Sequence, residues 1–198
     1  MRRPSTGLVT VSMSNCETSG VRRVKNEMTR NIYTGKVVTL NVDTVQLPNG
    51  ATVELETIRH PGAAAAVPMK EDGTVVLIRQ FRHAAGGFIY EIPAGKLHPG
   101  EDPLDCASRE LEEEIGYRAS SFELLSSIFT APGFADEVID IYKATGLTKG
   151  RQHLDRDEVL DVIEMPLAEA VKKIEDGTIR DAKTIVGLQA VYMRTRRH

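Results

Sequence analysis

The stretch Gly95–Tyr117, GKLHPGEDPLDCASRELEEEIGY, constrains this chain more than any other. It reads as a glycine-bounded loop followed by a short helix. Asp102 suits the N-cap, Pro103 the first helical position and Gly116 the residue just past the end. Leu104, Ala107, Leu111 and Ile115 recur at helical spacing and predict the buried stripe. The same helix gathers Glu110, Glu112, Glu113 and Glu114 near its C-terminus. The helix macrodipole is negative there, and Glu110 and Glu114 repel at i,i+4 spacing. Carboxylates concentrated against local preference point to a site.

At about 100° per residue, Glu110, Glu113 and Glu114 share roughly one 100° arc beside the apolar stripe. A donor set of carboxylates, without Cys or His, favours hard cations such as Mg²⁺, Mn²⁺ or Ca²⁺ over Zn²⁺. Mg²⁺ keeps positions open for water and phosphate, which suits phosphate chemistry. Arg109 stands four residues before Glu113. Glu101, in the preceding loop, is placed to pair with Arg109 and pin loop to helix.

The chain has 198 residues, the size of one domain with an appended segment. A net charge of −3 leaves no global basic field to recruit nucleic acid. Two cysteines, Cys16 and Cys106, make neither a disulfide framework nor a zinc site, which points to a reducing cytoplasm. No apolar run approaches the roughly 20 residues of a membrane span. Residues 1–27, rich in Ser, Thr, Arg and Asn, read as a flexible N-terminal extension.

Residues 28–60 carry a β-hairpin signal: Val37–Gln46 and Ala51–Ile58 alternate around Asn49-Gly50. Ala63–Met69, Thr74–Arg79, Phe88–Ile92, Phe122–Ile128, Val138–Thr145 and Leu160–Met165 read as further strands. Leu167–Glu175 and Asp181–Arg194 read as helices. Strands, a helix, strands, then helices predict an α+β (α/β) fold with a mixed sheet and helices on its faces.

The spacing from Gly95 to Glu101 to Arg109-Glu110 and on to Gly116 resembles the Nudix box, G-x5-E-x7-R-E-U-x-E-E-x-G-U, where U is bulky and apolar. Every fixed position matches; Tyr117 stands at the last U. The resemblance implies an α/β/α sandwich over residues 61–198, preceded by the antiparallel hairpin as a dimerisation element. It implies hydrolysis of a nucleoside diphosphate linked to another group, with Mg²⁺ as cofactor and Mn²⁺ as a substitute. By position, Glu110, Glu113, Glu114 and the Ala94 carbonyl would hold metal. Pro93 restricts the backbone before that carbonyl, and Gly95 permits a sharp turn after it. Glu113 is also placed to polarise the attacking water, and Glu101 and Arg109 would brace the site.

Three further features resemble the ADP-ribose pyrophosphatase branch. Gln80-Phe81-Arg82 precedes Glu91-Ile92-Pro93-Ala94-Gly95. Pro132 sits within Ala131-Pro-Gly-Phe-Ala-Asp-Glu137. Asp157-Glu158-Val159 precedes a strand. The resemblance makes Arg82 a cation for substrate phosphates, Glu91 a holder of metal-bound water or substrate, and Phe81 a core or pocket-wall residue. With no Trp in the chain, Tyr33 is the candidate to stack on adenine. Glu158 is the expected water-activating carboxylate, with Asp155 and Asp157 as alternates. The substrate would be ADP-ribose, cleaved to AMP and ribose 5-phosphate by a homodimer. Other sugar nucleotides such as GDP-mannose, or a non-catalytic ADP-ribose sensor, are the competing readings.

Overall fold

The computed structural model describes residues 26–196. Most of the extension expected at residues 1–27, with Cys16, lies outside them. The alanine run after the hairpin sets the geometry of the rest. Strand β4 (Ala63–Pro68) is buried along its whole length. It runs parallel to β9 (Val138–Lys149) and antiparallel to β7 (Ala94–Lys96). With β8 (Tyr117–Phe129) at the far edge, these make a four-stranded mixed sheet ordered β7-β4-β9-β8. A second sheet, antiparallel, is ordered β10-β5-β6, from Leu160–Pro166, Thr74–Arg82 and Gly87–Glu91.

Helix α1 (Pro103–Ile115) covers one side. Helices α2 (Leu167–Glu175) and α3 (Ala182–Thr195) cover the other. The two-residue period of the strands divides the core accordingly. Ala63, Ala65, Val67, Val75, Leu77 and Ile141 pack with Leu167, Leu188 and Val191 of α2 and α3. Ala66, Val76 and Ile78 pack with Leu111 and Ile115 of α1, while Ala64 meets Cys106 and Ala107. Alanine is a poor strand former, so a run of four in a central strand reflects closeness of approach. Helix α3 answers with Gly187, where an added Cβ would come within 2.7 Å of Val67 Cγ2 and 3.2 Å of Ile141 Cγ2.

The expected sandwich and mixed sheet are present, with several boundaries moved. The N-terminal hairpin is the larger part of a three-stranded antiparallel sheet. It contains β1 (Asn26–Thr34), β2 (Thr39–Gln46) and β3 (Thr52–Arg59). Strand β1, NEMTRNIYT, carries too few apolar residues to announce itself as a strand. Strand β8 starts at once after Gly116 instead of at Phe122, and β9 runs through Gly146 to Lys149. Gly146 turns at φ 65 within that strand, which allows pairing to continue across what reads as a loop. Strand β5 extends to Arg82.

The N-terminal sheet is tied to the sandwich through one seam. Ile58 N–H donates to Phe134 O at 2.7 Å, and Asp136 N–H donates to Ile58 O at 3.1 Å. Arg59 donates to Asp43, 3% exposed, and to Asp136. This joins the hairpin to the loop that carries Pro132.

The packing at Gly187 gives a direct test. Valine there must displace Val67 or α3, an overpacking cost of about 1–3 kcal/mol. Gly187→Val is expected to lower the unfolding free energy by that amount, read as a lower denaturant midpoint at an unchanged m-value. An unchanged midpoint would mean that α3 does not seat against β4 through this glycine.

Candidate active site

Asp102 and Gly116 delimit α1 as the sequence predicts. The Asp102 carboxylate accepts from Leu104 N–H at 2.8 Å, and Gly116 takes the left-handed conformation at φ 67. The buried face differs from expectation. Leu104 is 38% exposed, because it lies on the first turn, beyond the cover of the sheet. The buried positions are Cys106, Ala107, Glu110, Leu111, Glu114 and Ile115. Glu110 and Glu114 therefore do not stand beside the apolar stripe; they form part of it.

Burying two carboxylates four residues apart has a clear electrostatic effect. Burial, reinforced by the Glu110 charge, pushes the Glu114 carboxyl up to about 8. Burial also raises Glu110, opposed by Arg109. Glu114 Oε2 accepts the Ala94 N–H at 2.9 Å. Gly95 lies within β7 and has no positive φ, where the sequence reading allowed a sharp turn. It is required because a Cβ there would lie 1.7 Å from Glu110 Oε1.

Arg109 is the cationic centre of the cluster. Its Nε donates to Glu101 Oε1 at 2.8 Å, and its Nη1 donates to Glu110 at 2.6 Å and Glu113 at 2.9 Å. The Arg109 hydrogen bond holds Glu101 down to about 2. Glu101 also accepts from His98 N–H, which closes the loop onto the helix. Glu112 points elsewhere and pairs with Arg118. His153, which the sequence did not single out, places Nε2 3.4 Å from Glu113 Oε1. Its signal was only proximity in sequence to the acidic loop.

Among the described residues, no three His, Cys, Asp or Glu side chains converge closely enough to hold a metal ion as they stand. The carboxylates are engaged by protein donors: Glu110 and Glu113 by Arg109, Glu114 by Ala94 N–H, and Glu158 by Asp155 N–H. Ala94 thus meets the cluster through its N–H. The donor set is oxygen-only, and its two buried carboxylates are raised by burial and by neighbouring carboxylates. Rotated off these donors, the same groups suit a hard divalent cation.

Arg82 and Glu91 come together as a fork. Arg82 Nε and Nη2 donate to Glu91 Oε1 and Oε2 at 2.7 and 2.9 Å. Glu91 is 1% exposed and lies behind Arg82, against Lys183 of α3. Burial works to raise the Glu91 pKa, but Arg82 and Lys183 outweigh it and the net shift is downward. The Glu91 hydrogen bond raises Arg82, and the Glu114 charge acts in the same direction. Gln80 lies two residues before Arg82, on the same face of β5 by strand period. Its Oε1 is buried and has no hydrogen-bond partner among the described residues. Phe81 projects from the opposite face and packs edge-on against Phe88 at 5.6 Å, away from Arg82.

Within Asp155–Glu158, the Glu158 charge adds to the upward shift of both Glu110 and Glu114. Pro132 lies in the loop sewn to β3. Tyr33 is 58% exposed on β1, in the N-terminal sheet, and its ring lies over Gly35. Within one chain it is not gathered with the glutamates.

The NUDIX domain family model matches residues 59–186. The chain is 45% identical over 172 residues to the methanol dehydrogenase activator of Bacillus methanolicus, covering 86% of this chain and 93% of that protein. It is 40% identical over 165 residues to the ADP-ribose pyrophosphatase of Bacillus subtilis (strain 168), covering 82% and 89%. A solved structure described as an ADP compounds hydrolase superposes with a TM-score of 0.77 at 22% identity, covering 91% of this chain and 98% of that one, which shows the same fold. The braced carboxylate helix, the sandwich around it and the domain match agree: this chain belongs to the Nudix family, whose hydrolases generally use divalent metal ions.

Proposed function

We propose that this chain is a cytoplasmic, Mg²⁺-dependent hydrolase of nucleoside diphosphate sugars that cleaves ADP-ribose to AMP and ribose 5-phosphate, with Mn²⁺ able to substitute. The observation that carries the reading is the pair of buried carboxylates, Glu110 and Glu114, on α1. Stability alone would place apolar side chains there. The similarity to the Bacillus subtilis ADP-ribose pyrophosphatase supports the choice of substrate.

Glu110, Glu113, Glu114 and the Ala94 carbonyl would hold the metal. Bound Mg²⁺ would neutralise charge on the diphosphate oxygens and lower the pKa of the attacking water. Glu158 accepts a proton from that water or orients it. Arg82, fixed through Nε and Nη2, keeps Nη1 for a substrate phosphate oxygen. Arg109 and Glu101 hold the helix and its loop in register. Tyr33 stacks on the adenine and the Pro132 loop contacts the substrate once a second subunit is in place. The N-terminal sheet exposes Met28, Ile32, Tyr33 and Leu55, side chains that a homodimer would bury.

With Mg²⁺ and a coupling phosphatase, ADP-ribose releases phosphate faster than GDP-mannose does, and Glu114→Gln lowers kcat by about 10²-fold or more. Binding of ADP-ribose without turnover would favour a sensor instead, and near-normal Glu114→Gln activity would remove Glu114 from the metal site.

Stability moves the other way. A carboxyl raised to about 8 stabilises the fold relative to its ionised form below its ordinary value of 4.5, and that contribution is lost as pH rises through 8. In chelator, Glu114→Gln should therefore exceed the parent Tm, with the gain larger at alkaline than at acid pH. Comparing the two proteins cancels the titrations that Glu114 does not influence, so an equal or lower Tm at alkaline pH contradicts the electrostatics.

Light scattering should give twice the chain mass, and Ile32→Asp with Leu55→Asp should give the single-chain mass and reduced turnover. A monomeric parent with full activity refutes the shared site.

A further inference from the structure

We infer that Lys183, on the first turn of α3, is a positioning residue for Arg82 and acts on it through Glu91. The inference rests on the reading above, in which Arg82 contacts the substrate diphosphate. Lys183 Nζ lies 2.5 Å from Glu91 Oε2 and 3.1 Å from Asp181 Oδ2, and its side chain is 11% exposed. Glu91 is thus held between two cations, Arg82 in front and Lys183 behind, with its own side chain 2% exposed.

The arrangement fixes both ends of the relay. Asp181 caps α3, accepting from Thr184 N–H at 3.0 Å and Thr184 Oγ1 at 2.6 Å. Thr184 Oγ1 in turn accepts the Ile92 N–H at 2.8 Å, next in sequence to Glu91. The first turn of α3 is thereby sewn to the strand end that carries Glu91. A carboxylate forked by an arginine alone would cancel its charge. Sharing that carboxylate with Lys183 leaves Arg82 a larger share of its positive charge. The fork also uses Nε and Nη2, so the guanidinium has one orientation, and Arg82 remains 42% exposed. Among the described residues, Nη1 has no hydrogen-bond partner. An anionic oxygen is the ligand that this free edge accepts.

The role separates from simple stabilisation by kinetics. A lysine that only neutralised Glu91 would alter folding stability and leave KM unchanged in the folded fraction. A lysine that sets Arg82 weakens substrate binding, which raises KM while kcat changes less. Lys183→Met, Lys183→Arg, Arg82→Ala and the Lys183→Met/Arg82→Ala double variant are assayed with ADP-ribose and saturating Mg²⁺. Loss of a charge-assisted contact predicts that Lys183→Met raises KM about tenfold. Lys183→Arg should recover most of that loss. In the Arg82→Ala background, Lys183→Met should add no further change.

An unchanged KM in folded Lys183→Met, no recovery by Lys183→Arg, or the same rise in the absence of Arg82 overturns the inference. If Arg82→Ala itself leaves KM at the parent value, the substrate contact of Arg82 fails instead, so the two failures are distinguishable. Should Lys183→Met not fold, as judged by circular dichroism, Glu91→Gln tests the same relay. It keeps the shape, leaves Arg82 one acceptor oxygen in place of the two-oxygen fork that sets its orientation, and is expected to raise KM; an unaltered or lowered KM overturns the inference.

Discussion

The structure depends on one electrostatic arrangement: Arg109 holding Glu101, Glu110 and Glu113 at once. Four carboxylates around one helix end repel each other and the macrodipole. A single planar guanidinium offers enough donors in fixed directions to bind two of them, Glu110 and Glu113, together with Glu101 from the preceding loop. Lysine, a point charge on a flexible stem, has no such fork. The pairing lets a helix bury Glu110 without unfolding and keeps the Gly95–Glu101 loop closed on it. Glu114 is left outside the reach of Arg109, and its carboxyl is pushed up to about 8.

The second constraint is thickness. Helices on both sides of β4 approach a strand of alanines, and α3 adds a glycine at the contact. Close approach on the α1 side lets Glu114 reach the Ala94 N–H and Glu110 lie against Gly95. On the α3 side it brings Lys183 to Glu91. A bulkier β4 would separate the layers and break both contacts. The packing of the core thus sets the positions of charged groups on two different elements.

Much of this was legible in the sequence, because much of it is local. Asp102, Pro103 and Gly116 act within one turn of the helix ends, and the Gly95–Tyr117 spacing records contacts within a single loop and helix. The Asn49-Gly50 turn was equally readable. What was not legible depends on tertiary contacts. Leu104 has the right helical phase, but the sheet ends before reaching it. Phe81 adjoins Arg82 in sequence and faces the other way, since β5 continues as a strand through both. Strand β1 is polar and is held by pairing to β2. Lys183 lies far along the chain from Glu91, and no spacing rule connects them.

The seam between Ile58 and the Phe134–Asp136 segment has a consequence for the cost of recognition. A free surface loop loses conformational entropy when it closes on a ligand. Here two backbone hydrogen bonds and the Arg59 pair already order the Pro132 loop before any ligand arrives. Its shape is inherited from the N-terminal sheet. A change in the curvature of β2 and β3 would therefore be transmitted to the loop as a displacement, with no residue of the loop itself altered.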